Sequence, residues 1–231
     1  MKPPTLVIFG TLTLLLLSTL TGCQSTVVTP TPVLVSDPCA FAHNAEIGLG
    51  TTDEGGLQDW VQQHDGRSWQ GAISDGASGI ADFSWNQDGR RWSARFKNGK
   101  LVRVSQFGIE NGPSFGQIVK GLGAPTFIYG YVGIICEKDC NYSLGFDYPQ
   151  LGVSVYRSAT ETAREVRKSG EPALVIQQDV RITEMHCYTP ASSLEVALRD
   201  AFGMSDQSVA VQMSARSSWR GFGSLVPLGP R

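Results

Sequence analysis

The clearest pattern of apolar and polar positions lies between residues 79 and 107, where the two classes alternate along three short stretches. Turn residues separate the stretches, first from Asn86 to Gly89 and then at Asn98 and Gly99, a pair that tolerates the positive φ angles of a two-residue hairpin. Because alternation puts every second side chain on the same side of a strand, the pattern predicts a three-stranded antiparallel meander with one apolar face and one polar face. The apolar face would carry Ala81, Phe83, Trp85, Trp92, Ala94 and Phe96.

A short helix is predicted immediately before this meander, since Leu57, Trp60 and Val61 have the spacing of one helical face. The same order of elements returns further along the chain. A second short helix is predicted from Ser114 to Leu122, and Gly123 ends it. The strands predicted after this helix run from Thr126 to Ile135, from Tyr142 to Tyr148 and from Leu151 to Arg157. Two copies of one helix-plus-meander unit is the interpretation that needs the fewest assumptions.

Three further elements are predicted after the second meander. The charged residues Glu161 to Gly170 indicate a loop or a short helix, and Leu174 to His186 are predicted as one long strand, kinked near Gln177 to Asp179 where the apolar alternation breaks. A last helix would begin with Thr189 as its cap and Pro190 in its first turn. It would end at Gly203 and bury Leu194, Ala197, Leu198 and Ala201.

These elements predict an α+β fold built from a duplicated unit, a short helix plus a three-stranded antiparallel meander, with a further strand and a C-terminal helix. The first unit is assigned to residues 39–110 and the second, with the extra strand and helix, to residues 111–204. Residues 205–231 show little periodicity and are predicted to be a loosely held tail. Together the two units are long enough to bury a sizeable core.

The N-terminus has the layout of a secretory signal. Lys2 is followed by an uncharged stretch whose apolar centre is Leu14 to Leu17, and small residues precede a cysteine. The four residues 20–23, Leu-Thr-Gly-Cys, resemble a lipobox, in which a lipid is attached to the cysteine and the preceding peptide is removed. The resemblance implies a signal peptide of residues 1–22 and a lipid on Cys23. An uncleaved membrane helix is the alternative, because about 20 uncharged residues could just span a bilayer.

Residues 23–38 are rich in Ser, Thr, Val and Pro and predict a flexible tether that lifts the following domain off a membrane. Each buried lipid CH₂ contributes about 0.8 kcal/mol, so a multiply acylated Cys23 would hold the chain stably. The predicted location is therefore the cell membrane or the outer membrane, with the domain facing the periplasm or the exterior. The formal net charge of −2 gives no overall argument for binding nucleic acid.

Four cysteines remain besides Cys23, namely Cys39, Cys136, Cys140 and Cys187. In an oxidising compartment an even number indicates disulfides, with three connectivities open. Cys136 and Cys140 would suit a disulfide if they face each other at the mouth of a hairpin, and Cys39 with Cys187 would then tie the start of the domain to its end. The competing interpretation is a zinc site formed by Cys136, Cys140, His186 and Cys187. The absence of a C-x₂-C pair is an argument against it.

The second unit contains Gly116, six further residues, and then Gly123, Ala124 and Pro125, followed by three predicted strands. This stretch resembles the repeat of BamE-like, or SmpA/OmlA-like, lipoprotein domains. The residues Phe96 to Val102 of the first unit look like the closing hairpin of the same repeat. The resemblance implies a small α+β binding module rather than an enzyme, and it names no specific partner.

Residues 112–116 satisfy the G-x-S-x-G pattern of a serine nucleophile, with Ser114 at the centre between a predicted strand and a predicted helix. A triad would also need a downstream acid and base, for which Asp179 and His186 are the obvious pair. Against this hypothesis, the flanking strands are predicted to be antiparallel and the helix is short. The alternative is structural, because Ser114 can cap the helix while Gln117 completes a capping box. We favour the cap, and a catalytic site is not predicted.

Basic residues are concentrated in the first meander. Arg91, Arg95 and Lys97 share one face of a predicted strand, and Arg103 follows on the next strand. Such a row is most often a solvated sheet face. The alternative is an interaction surface for an anionic partner such as lipid headgroups, an envelope polymer or an acidic protein. These four basic residues are the predicted binding face.

The sequence as a whole predicts a membrane-anchored envelope lipoprotein whose non-enzymatic domain binds another protein or scaffolds an assembly. The alternatives are a serine hydrolase that uses Ser114 and a receptor for an anionic ligand. Neither a cofactor nor a metal site is predicted, and none of His43, His64 and His186 belongs to a pair at metal-ligand spacing. The expected partners are the membrane, through the lipid, and an envelope protein.

Overall fold

The computed structural model describes Cys39 and residues 47–64, 67–75, 79–132, 139–162, 173–223 and 225–227. The predicted signal peptide (1–22), the lipidation site Cys23, the tether (23–38) and Cys136 lie outside the described residues, as do residues 163–172. All described residues belong to one compact unit, Leu34–Arg231. No helix in this described part of the chain is long and apolar enough to cross a membrane.

The elements of this unit alternate short helices with runs of strands. In chain order they are α1 (Glu54–Gln63), β1 (Arg67–Asp75), β2 (Ile80–Gln87), β3 (Arg90–Lys97), β4 (Lys100–Phe107), α2 (Phe115–Leu122), β5 (Phe127–Val132), β6 (Asp139–Tyr148), a 3₁₀ turn (Pro149–Leu151), β7 (Val153–Thr162), β8 (Ala173–Val175), β9 (Glu184–Tyr188), α3 (Leu194–Asp200), α4 (Asp206–Ser214), β10 (Arg216–Ser218) and β11 (Leu225–Pro227). The pairings between these strands are antiparallel. The predicted α+β class is therefore confirmed.

Nine strands form one sheet in the order β1-β2-β3-β4-β9-β7-β6-β5-β10, while β8 and β11 pair with each other. Two meanders lie side by side in this sheet, β1 to β4 and β5 to β7. The late strand β9 lies between them and pairs with β4 on one side and with β7 on the other. The extra strand of the second unit is thus the element that joins the two meanders.

The meander predicted between residues 79 and 107 is confirmed, with β2, β3 and β4 at the expected positions. Its second turn uses Asn98 and Gly99 at φ angles of 53° and 74°. The first unit also has a fourth strand, β1, which the sequence pattern does not predict. Residues 67–75 lack strict alternation, and their pairing with β2 contains register shifts.

The second helix-plus-meander unit is also present, as α2 followed by β5, β6 and β7. Two of its boundaries differ from the predicted ones. β6 begins at Asp139, and β7 continues to Thr162, so the first two residues of the predicted 161–170 loop belong to a strand. Across ten residue pairs, β6 holds β7 in an unbroken antiparallel register. This long pairing explains why the strand extends beyond the apolar pattern.

One face of the sheet packs against α1 and α2 and forms the main core. Leu57 and Val61 of α1 share a buried cluster with Phe115 and Ile118 of α2. The sheet contributes Phe83, Trp85, Phe96, Val104, Phe146 and Val155 to this cluster. Each large apolar side chain that is fully buried contributes about 1.5–3 kcal/mol, so this face holds most of the stabilising contacts.

The opposite face carries α3 and α4. Tyr188 lies at the centre of a second cluster that contains Leu194, Ala197, Leu198 and Val209. Tyr188 follows Cys187 in β9, and neighbouring strand residues point to opposite faces. Helices therefore pack on both faces of the sheet, whereas the polar face of the first meander is predicted to be open to solvent.

The prediction of one strand from Leu174 to His186 is wrong. β8 and β9 occupy the two ends of this range, but they belong to different sheets. The backbone between β8 and β9 runs alongside the first turn of α2. There Phe115 N donates to the Val180 carbonyl and Gly116 N donates to the Gln178 carbonyl, each over 2.8 Å. The N–H groups of a first helical turn lack partners within the helix, and this segment supplies them. The break in alternation therefore marks a change of sheet.

The predicted C-terminal helix exists as α3, and it buries Leu194, Ala197, Leu198 and Ala201 as expected. The predicted cap is wrong, because Ser193 rather than Thr189 caps the helix and accepts from Val196 N over 3.3 Å. Thr189 N instead donates to the Val102 carbonyl over 3.1 Å. Because this contact holds Thr189 against β4, the helix begins further along the chain than predicted.

The expectation of a loosely held tail is wrong for residues 205–223 and 225–227. Ser205 caps α4, β10 pairs with the edge of β5, and β11 pairs with β8. The sequence of α4 has little amphipathic pattern, so its periodicity gives no warning of this order. Tertiary contacts hold the segment, above all an interior ion pair of Arg216 that is described below.

A disulfide joins Cys39 to Cys187, as predicted, with the two Cα atoms 5.7 Å apart and a sequence separation of 148. Both residues are fully buried in the main core. The bond connects the beginning of the domain to the central strand β9. The other predicted pair, Cys136 with Cys140, involves a residue outside the described ones and stays a prediction.

Candidate binding cleft

A cleft of about 350 Å³ lies between the sheet face that carries Tyr188 and the helices α3 and α4. Its walls include the rings of Phe107, Tyr129 and Tyr156 from the sheet and, from the helix side, Leu198, Phe202 and Met204. Pockets that bind small molecules typically have about 300–1,000 Å³ and mostly apolar walls with a few polar groups. The volume of the cleft lies at the lower end of this range, its walls combine apolar rings with polar side chains, and it is the candidate functional site.

The strand register brings the aromatic walls together. Phe107 lies opposite Glu184, and Glu184 lies opposite Tyr156, so the three side chains share one face of the sheet. The same row continues through Gly145 to Tyr129. A Cβ at Gly145 would overlap the ring of Tyr156. The glycine therefore leaves the space that this ring occupies between two strands.

A buried ion pair fixes β10 to the sheet beside these rings. Arg216 Nε donates to Asp147 Oδ2 over 2.7 Å, and the two side chains are 3% and 0% exposed. Asp147 Oδ1 also accepts from Ser154 Oγ over 2.7 Å and from the Tyr156 hydroxyl over 2.8 Å, while Arg216 donates to the Gln212 carbonyl over 2.6 Å. Burial and the Asp147 charge raise the pKa of Tyr156 well above its ordinary value. The hydroxyl therefore stays protonated and continues to donate.

Arg103 lines the cleft without an ion pair or hydrogen bond to any residue in the described ranges, and its Nε is buried. Its guanidinium carbon lies 4.8 Å from the ring centroid of Phe202. The carboxylate of Asp82 is engaged by Arg95, whose Nε donates to Oδ1 over 2.7 Å. Burial, and then the charge of Arg95, lower the pKa of Arg103 to about 10. The side chain remains a cation at neutral pH, and the described chain leaves its charge unneutralised.

His186 lies on the same face, and its Nδ1 is 2.7 Å from Ser105 Oγ. Its Nε2 is 4.0 Å from Glu184 Oε2. Burial, and then the charge of Arg103, lower the pKa of His186 to about 3, so the ring is neutral and this contact with Glu184 is not an ion pair. Ser105 is fully buried, so the serine and histidine together present no accessible nucleophile. The pair therefore presents the edge of a neutral imidazole ring to the cleft.

The predicted binding face is partly covered. Arg91, Arg95, Lys97 and Arg103 share one face as the alternation predicts, but α3 and the residues after it pack there. Arg95 donates to the Phe202 carbonyl, and Lys97 donates to an Asp200 carboxylate oxygen over 2.6 Å. Arg91 remains exposed. The expectation that Arg91, Arg95 and Lys97 face outward together is wrong for Arg95, because it assumes that the polar face of the meander has no helix over it.

The capping role of Ser114 is confirmed. Its Oγ accepts from Gln117 N over 3.2 Å, and its own N–H donates to Gln117 Oε1 over 2.8 Å, which together form a capping box. The two other residues of the hypothetical triad have different surroundings. Asp179 is exposed in the segment before β9, and His186 contacts Ser105 rather than Ser114. The structure does not bring the three side chains together through any described contact.

Two residues of the alternative zinc site are described, and they have other partners. Cys187 is in the disulfide, and His186 is bonded to Ser105. Cys136 and the side chain of Cys140 lie outside the description. Within the described ranges, no three His, Cys, Asp or Glu residues are grouped closely enough to hold a metal ion.

Most of the cleft could not be predicted from the sequence. Of the predicted binding-face residues, only Arg103 lines it. Asp147 and Arg216 are 69 residues apart, and the second is in the predicted tail. The one sequence signal is an acidic residue, Asp147, in the apolar end of its strand, Leu144 to Tyr148, since a buried carboxylate requires a partner elsewhere. Comparison of the chain with protein-family models, with curated proteins and with solved structures found no match.

Proposed function

We propose that this chain is an exported, lipid-anchored binding protein, not an enzyme, that holds a ligand in the cleft between the sheet and helices α3 and α4. The supporting observation is the cleft itself, whose aromatic walls enclose a cationic side chain, Arg103, with no partner among the described residues. Apolar walls with a few directed polar groups are characteristic of small-molecule sites. This function corresponds to the receptor alternative of the sequence prediction.

Export is supported by two independent features. The residues 20–23 resemble a lipobox behind an apolar stretch, which favours a lipid on Cys23 and attachment to the cell membrane or the outer membrane. The disulfide between Cys39 and Cys187 is typical of proteins that fold in an oxidising compartment. An exported receptor on a short tether would meet ligands in the periplasm or at the cell exterior.

A binding function is favoured over hydrolysis by the way the serines are used. The Ser114 hydroxyl accepts a hydrogen bond within its capping box, and the serine next to His186 is buried. The resemblance of residues 116–125 to BamE-like repeats also implies binding rather than catalysis. The envelope-protein partner that this resemblance suggests stays a prediction, and only Arg91 and Lys97 of the proposed basic surface are open to such a partner.

The anchor is tested by the substitution Cys23→Ala. The variant should leave the membrane fraction, or accumulate as an unprocessed precursor, because the lipid is the proposed attachment. Cell fractionation and intact-protein mass spectrometry report the two outcomes. Wild-type membrane partition together with an unchanged protein mass would contradict a lipidated Cys23.

The cleft is tested by filling it. Ser158 lines the cleft from β7, so Ser158→Trp places a large ring in the space available to a ligand. The probe is 2-naphthamide, an uncharged molecule of two fused rings, and its binding to the full chain in lipid nanodiscs is measured by saturation-transfer NMR. It should bind wild type at least about tenfold more tightly than it binds this variant. The matched control is Ser218→Trp, an exposed serine of β10 that does not line the cleft. Equal weakening by both substitutions, or by neither, would contradict a ligand site in the cleft.

A further inference from the structure

Two arginines beside the cleft are neutralised within the domain, while Arg91, 6.0 Å from the ring centroid of Phe107, is exposed. Arg95 pairs with Asp82, and Arg216 pairs with Asp147. Arg103 has neither an ion pair nor a hydrogen bond within the described ranges, and its Nε is sealed from solvent. A buried charge without a partner is costly, and Coulomb attraction is stronger where water is excluded. An anion that reaches Arg103 therefore gains more than it would from an arginine on the surface.

The surroundings of Arg103 prepare it for a planar anion. The ring of Phe202 lies 4.8 Å from the guanidinium carbon and restricts the plane of the group. A stacked guanidinium keeps its edge free for hydrogen bonds in the same plane, and that edge matches the two oxygens of a carboxylate. Because Nε is buried while Arg103 lines the cleft, the terminal nitrogens are the atoms that a ligand can reach.

The remaining walls suit an apolar body. Phe107, Tyr129 and Tyr156 present rings to the cleft, and Leu198 and Met204 face them from the helix side. A volume of about 350 Å³ accommodates one or two fused rings with a substituent. Flat apolar groups gain both burial and ring contacts in such a space.

We propose that the cleft binds a small monoanion, a carboxylate carried on a flat apolar body of one or two rings, and that Arg103 pairs with the carboxylate. This inference rests on the proposed function, in which the cleft is the ligand site. Glu184 also lines the cleft, and no arginine or lysine of the described chain pairs with it. Its negative charge opposes a second charge on the ligand, so a phosphate dianion binds less well than a carboxylate.

The test compares three probes on the full chain in lipid nanodiscs, with empty nanodiscs as the background. They are 2-naphthoate, its uncharged isostere 2-naphthamide, and inorganic phosphate. Wild type should bind 2-naphthoate at least about tenfold more tightly than 2-naphthamide and more tightly than phosphate. Arg103→Gln should lower the ratio of 2-naphthoate affinity to 2-naphthamide affinity on the order of 30-fold, because the variant removes one partner of a buried charged pair.

The matched control removes the opposite charge from the same cleft. Glu184→Gln should raise the ratio of 2-naphthoate affinity to 2-naphthamide affinity, because only the anion is repelled by Glu184. A loss of 2-naphthoate affinity in both variants would indicate general damage to the cleft and would overturn the role of Arg103. If Arg103→Gln does not fold, the ratio of 2-naphthoate affinity to 2-naphthamide affinity on wild type still tests the anion site, since this comparison requires no substitution.

The outcomes separate this inference from the proposed function. Equal affinity for 2-naphthoate and 2-naphthamide, both lost in Ser158→Trp, would overturn the anion site and leave the cleft as a ligand site. Phosphate that binds as tightly as 2-naphthoate would overturn the choice of a carboxylate. Binding of neither naphthyl probe to wild type would overturn the proposed function together with this inference.

Discussion

Removal of the ion pair between Arg216 and Asp147 should destabilise the domain much more than removal of an exposed pair of the same chemistry. Arg216→Met keeps most of the apolar stem and removes the charge. It leaves the Asp147 carboxylate, 0% exposed, with hydroxyl donors from Ser154 and Tyr156 but no cation. Breaking one side of a buried ion pair costs about 3–5 kcal/mol. At about 2–4 °C per kcal/mol for a chain of this size, the melting temperature should fall by about 6–20 °C.

The chain provides its own control for this prediction. Arg199 Nε lies 2.7 Å from Asp206 Oδ1, the same atoms and distance as in the buried pair, but the two side chains are 50% and 86% exposed. Arg199→Met should therefore cost less than about 1 kcal/mol, as exposed pairs do. Urea unfolding followed by circular dichroism measures both free energies, and an unchanged slope with denaturant confirms that the same surface unfolds. Similar losses in the two variants would refute burial as the cause.

Three further predictions concern other parts of the fold. Cys39→Ser, which opens a loop of 148 residues, should lower the free energy of unfolding by about 5 kcal/mol in the chain-entropy model, and a chain whose urea midpoint is insensitive to reduction would contradict the disulfide. Because burial, and then Arg103, lower the pKa of His186 from 6.5 to about 3 on folding, the unfolded chain binds the extra proton between these pH values. Stability should accordingly fall on the order of 4 kcal/mol as the pH drops through this window, and His186→Gln should flatten that part of the measured profile relative to wild type. Ser114→Ala should cost about 1 kcal/mol in urea unfolding through the lost cap, whereas a larger loss of ligand binding than of stability would assign the hydroxyl another role.

Local sequence signals predict the local elements of this fold well. The Asn98–Gly99 turn, the alternation around it and the Ser114 capping box each depend on residues within a few positions of one another. The register of β2 with β3 follows in the same way from the turn at Asp88 and Gly89 that joins these two strands. Such features are decided by short-range chemistry, which a single sequence displays directly.

The features that long-range contacts decide are the ones that the sequence does not display. The place of β9 between two meanders depends on pairing with residues more than 25 positions away, on β4 and on β7. The order of α4 and β10 depends on Arg216 reaching Asp147. A polar strand face likewise gives no indication that a later helix pair will cover it, so the four basic residues of the first meander cannot be divided into exposed and buried ones in advance. The cleft forms at that covered face.

The disulfide between Cys39 and Cys187 also determines how a mechanical pull would enter the domain. In the proposed orientation, tension on the lipid passes along the tether to Cys39 and crosses the sulfur bridge directly to β9. β9 is bonded on both edges, to β4 and to β7, so the force acts on an interior strand of the sheet and not on an end that could peel away. The covalent path from the tether to β9 thus bypasses the chain between the two cysteines, and the remaining force is shared by the hydrogen bonds that β9 makes with β4 and β7. A receptor attached in this way would keep its binding geometry while its anchor moves with the membrane.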